Sequence, residues 1–120
     1  MATQKRVLIV EDEKPLSHAL ELKLTREGFS VFVAHTGQEA LDAIKDNEYD
    51  VMLLDLMMPM VDGFQVLEEL KKSTRQPVVF VLSNLSQHED EERVLALGAR
   101  KYFIKSDTPL STIVEEVKNA

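Results

Sequence analysis

An α/β fold built on a five-stranded parallel sheet is predicted by two features of the 120-residue sequence. Short β-branched runs alternate five times with longer segments of helical period, the pattern of repeated β-α units. Two of the runs, 51–54 and 78–82, are continuously apolar, as strands buried on both faces are, so helices must cover each side of the sheet.

The elements follow in order. RVLIV (6–10) is the first strand. PLSHALELKLTREG (15–28) is the first helix: Pro15 suits its first turn, Leu16, Ala19, Leu20 and Leu24 share one face, and Gly28 is a ready stop. SVFVA (30–34) is the second strand, and Thr36 with Glu39 reads as a capping box opening the second helix. The third strand is DVMLL (50–54), and the cationic KKSTR (71–75) suits the last turn of the helix after it. PVVFVL (77–82) is the fourth strand, followed by a second capping box, Ser86 with Glu89. The helix it opens begins QHEDEER (87–93) with no apolar residue, and Val94, Leu95 and Leu97 come only near its end. Anchored at one end, it should shift more easily than its neighbours. RKYFI (100–104) is the fifth strand. The last helix starts at about Pro109 and carries Leu110, Ile113, Val114 and Val117 as a core stripe. With no repeat, low-complexity segment or linker, residues 1–120 read as one domain.

Composition removes several functions. A net charge of −7 without a clustered basic face argues against direct contact with nucleic acid. The absence of cysteine excludes disulfides and thiolate metal sites. The apolar patch after the first basic residues is four residues long and runs into Glu11, Asp12 and Glu13, too short and too acidic for a signal peptide or membrane span. A soluble cytoplasmic protein with no membrane partner is the expectation.

Ligands of an open parallel sheet bind beyond the carboxyl ends of its strands. At those ends stand Glu11 and Asp12, then Asp55, then Ser83 and Asn84, then Lys105. Singly, each has a plain explanation as a turn, a cap or a surface charge. Asp55 is hardest to explain that way, because it ends an apolar run and strands disfavour Asp. Three carboxylates held together repel one another by roughly 4 kcal/mol per pair at about 4 Å and an effective dielectric near 20, so the cluster must take up protons or a cation. Oxygen donors alone favour a hard ion, and a few carboxylates plus water suit Mg2+ better than a Ca2+ cage. Beside such an ion a carboxylate can attack phosphorus to give an acyl phosphate, which Lys105 would help neutralise and Ser83 would hydrogen-bond.

VLIVEDE (7–13), LLDLMMPMVDG (53–63), VLS (81–83) and YFIK (102–105), in this order on five β-α units, resemble the receiver domain of two-component response regulators, the CheY-like superfamily. The resemblance implies a flavodoxin-like three-layer (βα)5 sandwich with strand order 2-1-3-4-5. It implies Asp55 as phosphoacceptor, with Asp12 and Asp55 as Mg2+ ligands and Glu11 as the second acidic residue of the metal site. Met57 would lend its backbone carbonyl, and Mn2+ is an alternative ion. Lys105 corresponds to the lysine that pairs with the phosphoryl group, Ser83 to the switch hydroxyl and Tyr102 to the switch aromatic. Pro59 and the Asp62-Gly63 turn complete the acceptor loop. Ser106 departs from the family, which usually places a proline in a cis peptide after the lysine. A non-proline cis bond costs about 2.5–4 kcal/mol, so the Lys105–Ser106 peptide is expected to be trans or strained. Met57 and Leu85 match the residues overhanging the phosphoryl group; both are apolar, unable to orient an attacking water, and imply slow self-dephosphorylation.

The expected function is Mg2+-dependent acceptance of a phosphoryl group from a sensor histidine kinase or phosphotransfer protein, switching a surface for a downstream protein or for the chain's own effector domain. Catalysis is limited to the domain's own phosphorylation and dephosphorylation. A homodimer through the fourth helix, fifth strand and fifth helix is a further expectation, with acidic 89–92 and basic Arg100 and Lys101 pairing across it or within one chain. These 120 residues hold no output module, so the chain is a stand-alone regulator or a receiver from a longer protein. A flavin-binding domain would want a Ser/Thr/Gly-rich phosphate loop where EDE stands. An aspartyl-phosphate phosphatase would want an acid where Met57 stands. A pseudo-receiver acting only as a protein-binding module is the main alternative.

Overall fold

In the computed structural model, which describes residues 4–73, 76–84 and 88–120, all five predicted strands form. They are β1 (Arg6–Val10), β2 (Ser30–Ala34), β3 (Val51–Asp55), β4 (Val78–Ser83) and β5 (Lys101–Ile104). All pairings are parallel and the order is β2-β1-β3-β4-β5, as expected. The helices are α1 (Lys14–Arg26), α2 (Gly37–Asp46), α3 (Gly63–Leu70), α4 (His88–Ala96) and α5 (Leu110–Lys118).

Alternation along the strands sends successive side chains to opposite faces, and two cores result. Leu8, Val10, Met52, Leu54, Val79 and Val81 pack with residues of α2, α3 and α4. Val7, Ile9, Val51, Leu53, Phe80 and Leu82 pack with Leu20 and Leu24 of α1 and Ile113, Val114 and Val117 of α5. The stripe predicted for α5 is thus a core stripe, and that of α1 is one with Ala19 at its half-buried margin.

Several local expectations are corrected. β3 and β4 each run one residue further than the apolar runs suggested, because Asp55 still pairs with Leu82 in the ladder and Ser83 with Ile104. Pro109 is not in the first turn of α5 but caps it with extended backbone (ψ 148°), and the helix starts at Leu110. Thr36 caps α2 as predicted, accepting from the Glu39 N–H at 3.0 Å, but Glu39 reaches the N–H of His35, one residue before the cap. A complete capping box stands instead at α3, where Asp62 and Gln65 exchange side-chain to backbone bonds of 2.9 and 3.0 Å. The Ser86–Glu89 box lies outside the described residues.

α4 is anchored by Val94, fully buried, while Leu95 is exposed and Leu97, just past the helix, is half-buried. Its apolar anchoring is as thin as predicted, but a polar one supplements it. The Arg93 guanidinium lies 3.9 Å from the centre of the Phe64 ring on α3, and 3.9 Å from Glu68. Lys101 pairs with Glu116 of α5 at 2.5 Å, because alternation along β5 puts it on the same face as Phe103, which packs with α5.

Candidate functional site

The strand register assembles the site. Val10 pairs with Leu54, so Glu11 and Asp55 leave neighbouring strands at the same level. Asp55 pairs with Leu82, and Ser83 with Ile104, which brings Ser83 and Lys105 in from the other side. Four strand ends thus converge without any long excursion of the chain.

Glu11 and Asp55 are buried at 1% and 3% exposure, whereas Asp12 is exposed. One oxygen from each of these three carboxylates lies within 4.8 Å of the others. Lys105 joins them: its Nζ is 2.5 Å from Glu11 Oε1 and 3.3 Å from Asp55 Oδ2. Glu13, which the sequence analysis treated only as part of an acidic run, lies 3.9 Å from the same ammonium, and its N–H donates to Glu11 Oε2 at 3.1 Å. Asp55 Oδ1 accepts the Met57 N–H at 3.2 Å.

Burial dominates the electrostatics. It pushes the Glu11 carboxyl up from 4.5 to about 7 against the hydrogen bond from Lys105, with the Asp55 charge adding to the rise. Burial likewise raises Asp55, opposed by Lys105, by Glu11 and by the Met57 N–H. For Lys105 burial alone would favour loss of the proton, but pairing with Glu11 and the charges of Asp55, Glu11 and Glu13 outweigh it and hold the pKa above the ordinary lysine value.

The donor set fits a hard divalent ion: it is all oxygen, clustered and half-buried. Glu11 Oε1 faces the Lys105 ammonium at 2.5 Å, so it is already an oxygen compensated by positive charge, as a metal-facing carboxylate would be. Glu11, Asp12 and Asp55 are the side chains that would hold the ion.

Lys105 opens a single 3-10 turn, Lys105–Asp107, closed by the Thr108 hydroxyl donating to the Ile104 carbonyl at 2.8 Å. Its peptide to Ser106 is trans, one of the two outcomes left open. The other predicted positions fall as follows. Ser83 is fully buried at the end of β4. Tyr102 is half-buried; burial raises its phenol pKa and hydrogen bonding to the Ser83 side chain opposes the rise. By strand alternation both lie on the α4 face of the sheet, opposite the face that Asp55 shares with Val51 and Leu53. Met57 is 59% exposed, and Leu85 lies outside the described residues.

The acceptor loop between β3 and α3 is held by features the sequence analysis missed. Met60 adopts a left-handed backbone (φ 68°) and is 98% exposed. A Cβ at Gly63 would lie 2.6 Å from the Asp55 carbonyl oxygen, and one at Gly37, the first residue of α2, 2.1 Å from the carbonyl oxygen of Val61. Neither glycine has a positive φ; the Asp62-Gly63 turn marked Gly63 in the sequence, but only the folded chain shows the close approach at either position. A cavity of about 540 Å3, lined by Asp12, Leu56, Met57, Met58, Pro59, Asp62 and Phe64, opens beside the loop.

Comparison with known proteins gives a consistent result. The family described as response regulator receiver domain matches residues 7–118. Among solved structures, the receiver domain of the Francisella response regulator 1452 is similar, with 31% identity, TM-score 0.89 and coverage of 97% of this chain and 95% of that one. A response regulator protein from Thermotoga maritima, solved in complex with Mg(2+)-BeF, shares 30% identity with TM-score 0.83, covering 97% and 98% of the two chains. A CheY-like receiver domain protein from Methanospirillum hungatei shares 26% identity with TM-score 0.91, covering 98% and 93%.

Proposed function

Since the chain belongs to the response regulator receiver domain family of two-component systems, we propose that Asp55 accepts a phosphoryl group from the phosphohistidine of a sensor histidine kinase or phosphotransfer protein. The observation that carries this reading is the contact of Lys105 with both buried carboxylates, at 2.5 and 3.3 Å, beside exposed Asp12. A pseudo-receiver has no need to keep that arrangement.

In the transfer, a carboxylate oxygen of Asp55 forms the new P–O bond while the donor's P–N bond breaks and its imidazole leaves. Asp55 Oδ1 is aimed by the Met57 N–H, which lowers the freedom lost on reaching the attacking geometry. Lys105 keeps its proton throughout, so its charge is present as negative charge accumulates on the phosphoryl oxygens. Mg2+, or Mn2+ in its place, supplies further charge neutralisation when held by Glu11, Asp12, Asp55 and the Met57 carbonyl.

Ser83 and Tyr102 then report the change. Both lie on the face of the sheet covered by α4, the helix with least apolar anchoring, so their rearrangement biases that helix between two positions. The surface of α4, β5 and α5 is the output face, for a downstream protein, an attached effector domain or a second copy. We place the protein in the cytoplasm, as a single receiver domain over residues 1–120.

The test is the intact mass after incubation with acetyl phosphate and Mg2+, beside Asp55→Asn and a chelator control. A metal-dependent gain of one phosphoryl group, absent in the variant, is expected. No gain, together with no binding of beryllofluoride, would leave the pseudo-receiver as the better reading.

A further inference from the structure

The acceptor loop is wedged between the first turns of two helices, and one of those helices has no part in the site. Gly63 opens α3 against the Asp55 carbonyl and Leu56. Gly37 opens α2, behind β1 and β2, and is buried. There the loop's Val61 comes so close that a Cβ at position 37 would lie 2.1 Å from the Val61 carbonyl oxygen and 2.7 Å from its Cβ and Cγ1. Two of those three atoms belong to a branched side chain that is stiff at χ1, and the third is backbone, so neither yields by a rotamer change. The loop itself would have to move. Within it, Val61 donates to the Pro59 carbonyl at 2.8 Å and Gly63 to the Leu56 carbonyl at 3.0 Å, so a displacement at Val61 is passed back towards Leu56 and Met57.

We infer that Gly37 is a positioning residue for phosphoryl acceptance: by admitting Val61 against the first turn of α2, it fixes the loop that carries Met57 and aims Asp55. The inference rests on the proposed receiver function for its consequence, though not for the contact. It acts through the loop, since Gly37 touches none of the reacting groups.

A double-variant cycle tests it, using Gly37→Ala, Val61→Gly and the pair, with Gly28→Ala as control. Gly28 has φ +96° with nothing within 4 Å of a built Cβ, so its substitution strains the backbone without pressing on any neighbour. Three quantities are read: amide hydrogen exchange of the 56–62 segment, Mg2+ affinity by calorimetry, and the rate of phosphoryl uptake from acetyl phosphate. A displacement of about 1 Å is enough to cost 10- to 100-fold in rate. Gly37→Ala is therefore expected to speed loop exchange and slow uptake at least tenfold, while Gly28→Ala lowers stability and leaves uptake and loop exchange as they were. In the Val61→Gly background the added effect of Gly37→Ala should fall to about threefold or less, because the two side-chain contacts are gone and the backbone freedom of a glycine lets the remaining carbonyl turn aside.

Uptake by Gly37→Ala within about twofold of the parent, or a loss undiminished by Val61→Gly, would overturn the inference. Should Gly37→Ala alone fail to fold, the double variant decides: folding with uptake like that of Val61→Gly supports the wedge, and continued failure to fold refutes it. If the parent protein neither binds Mg2+ nor takes up phosphate, the functional reading fails, and loop exchange still reports whether Gly37 seats Val61.

Discussion

Replacing Glu11 by Gln should flatten the dependence of stability on pH in metal-free protein. Glu11 is 1% exposed, and its pKa stands at about 7 in the folded chain against 4.5 as the ordinary value. The folded state therefore holds a proton that the unfolded state has lost between those two values. Below the lower value both states are protonated and no penalty exists; above the upper one the penalty is complete. Stability must fall as pH rises through this window. At about 1.4 kcal/mol per pKa unit, the shift from 4.5 to about 7 corresponds to a loss of about 3.5 kcal/mol. Denaturant melts with a chelator present, followed by circular dichroism at about pH 5 and about pH 8, give the difference directly. Asp55 is shifted in the same direction, so the parent should lose at least as much as Glu11 alone implies. Because pH 5 already lies above the lower value, the Glu11→Gln protein should lose about 2.5 kcal/mol less than the parent between the two measurements. Equal losses in both would refute the view that burial of Glu11, and not some other group, strains the pocket. Adding Mg2+ to the parent should recover most of the loss at the higher pH, since the ion favours the ionised form.

Three further outcomes follow from the same geometry. Asp55→Asn should abolish phosphoryl uptake, measured by intact mass, yet raise metal-free stability at neutral pH by about 1 kcal/mol or more in denaturant melts, because it removes a buried charge whose pKa burial has raised. Met57→Asn should shorten the life of the phosphorylated protein severalfold, followed by loss of the added mass with time, since an amide beside Asp55 can orient water where the exposed thioether cannot. Arg93→Ala should speed amide exchange in α4 about two- to fivefold with α1 unchanged, as expected from loss of a partly exposed cation–π contact worth about 0.5–1 kcal/mol.

Much of this architecture was legible in the chain. Five β-branched runs and the helical stripes in α1 and α5 gave the elements, because hydrophobic period reflects burial directly. The identity of the site residues was legible for a related reason: a strand end is recognisable in sequence, and parallel register brings strand ends together. What stayed hidden depends on contacts between elements distant in sequence. Arg93 over Phe64 joins α4 to α3, and neither residue announces the other. Gly37 resembled any small residue after an N-cap, because its constraint comes from Val61. The capping box at Asp62 and Gln65 was readable as D-x-x-Q but was overlooked beside the glycine turn that contains it. The partner of Lys101, Glu116, stayed hidden because it lies on a helix later in the chain and is brought near only by the face of β5 that Lys101 occupies.

The ammonium of Lys105 between Glu11 and Asp55 has a consequence for how the protein comes into being. Small zinc modules borrow folding energy from their metal and stay unfolded without it. Here the chain brings a counter-ion of its own, so a newly synthesised molecule can close its pocket before meeting any ion. Under the proposed function, supply of the metal would then govern what the finished domain does, while the quantity of finished domain is set by the polypeptide. Abundance and responsiveness become separate variables, and a fluctuation in divalent ions leaves the stock of folded protein largely as it was.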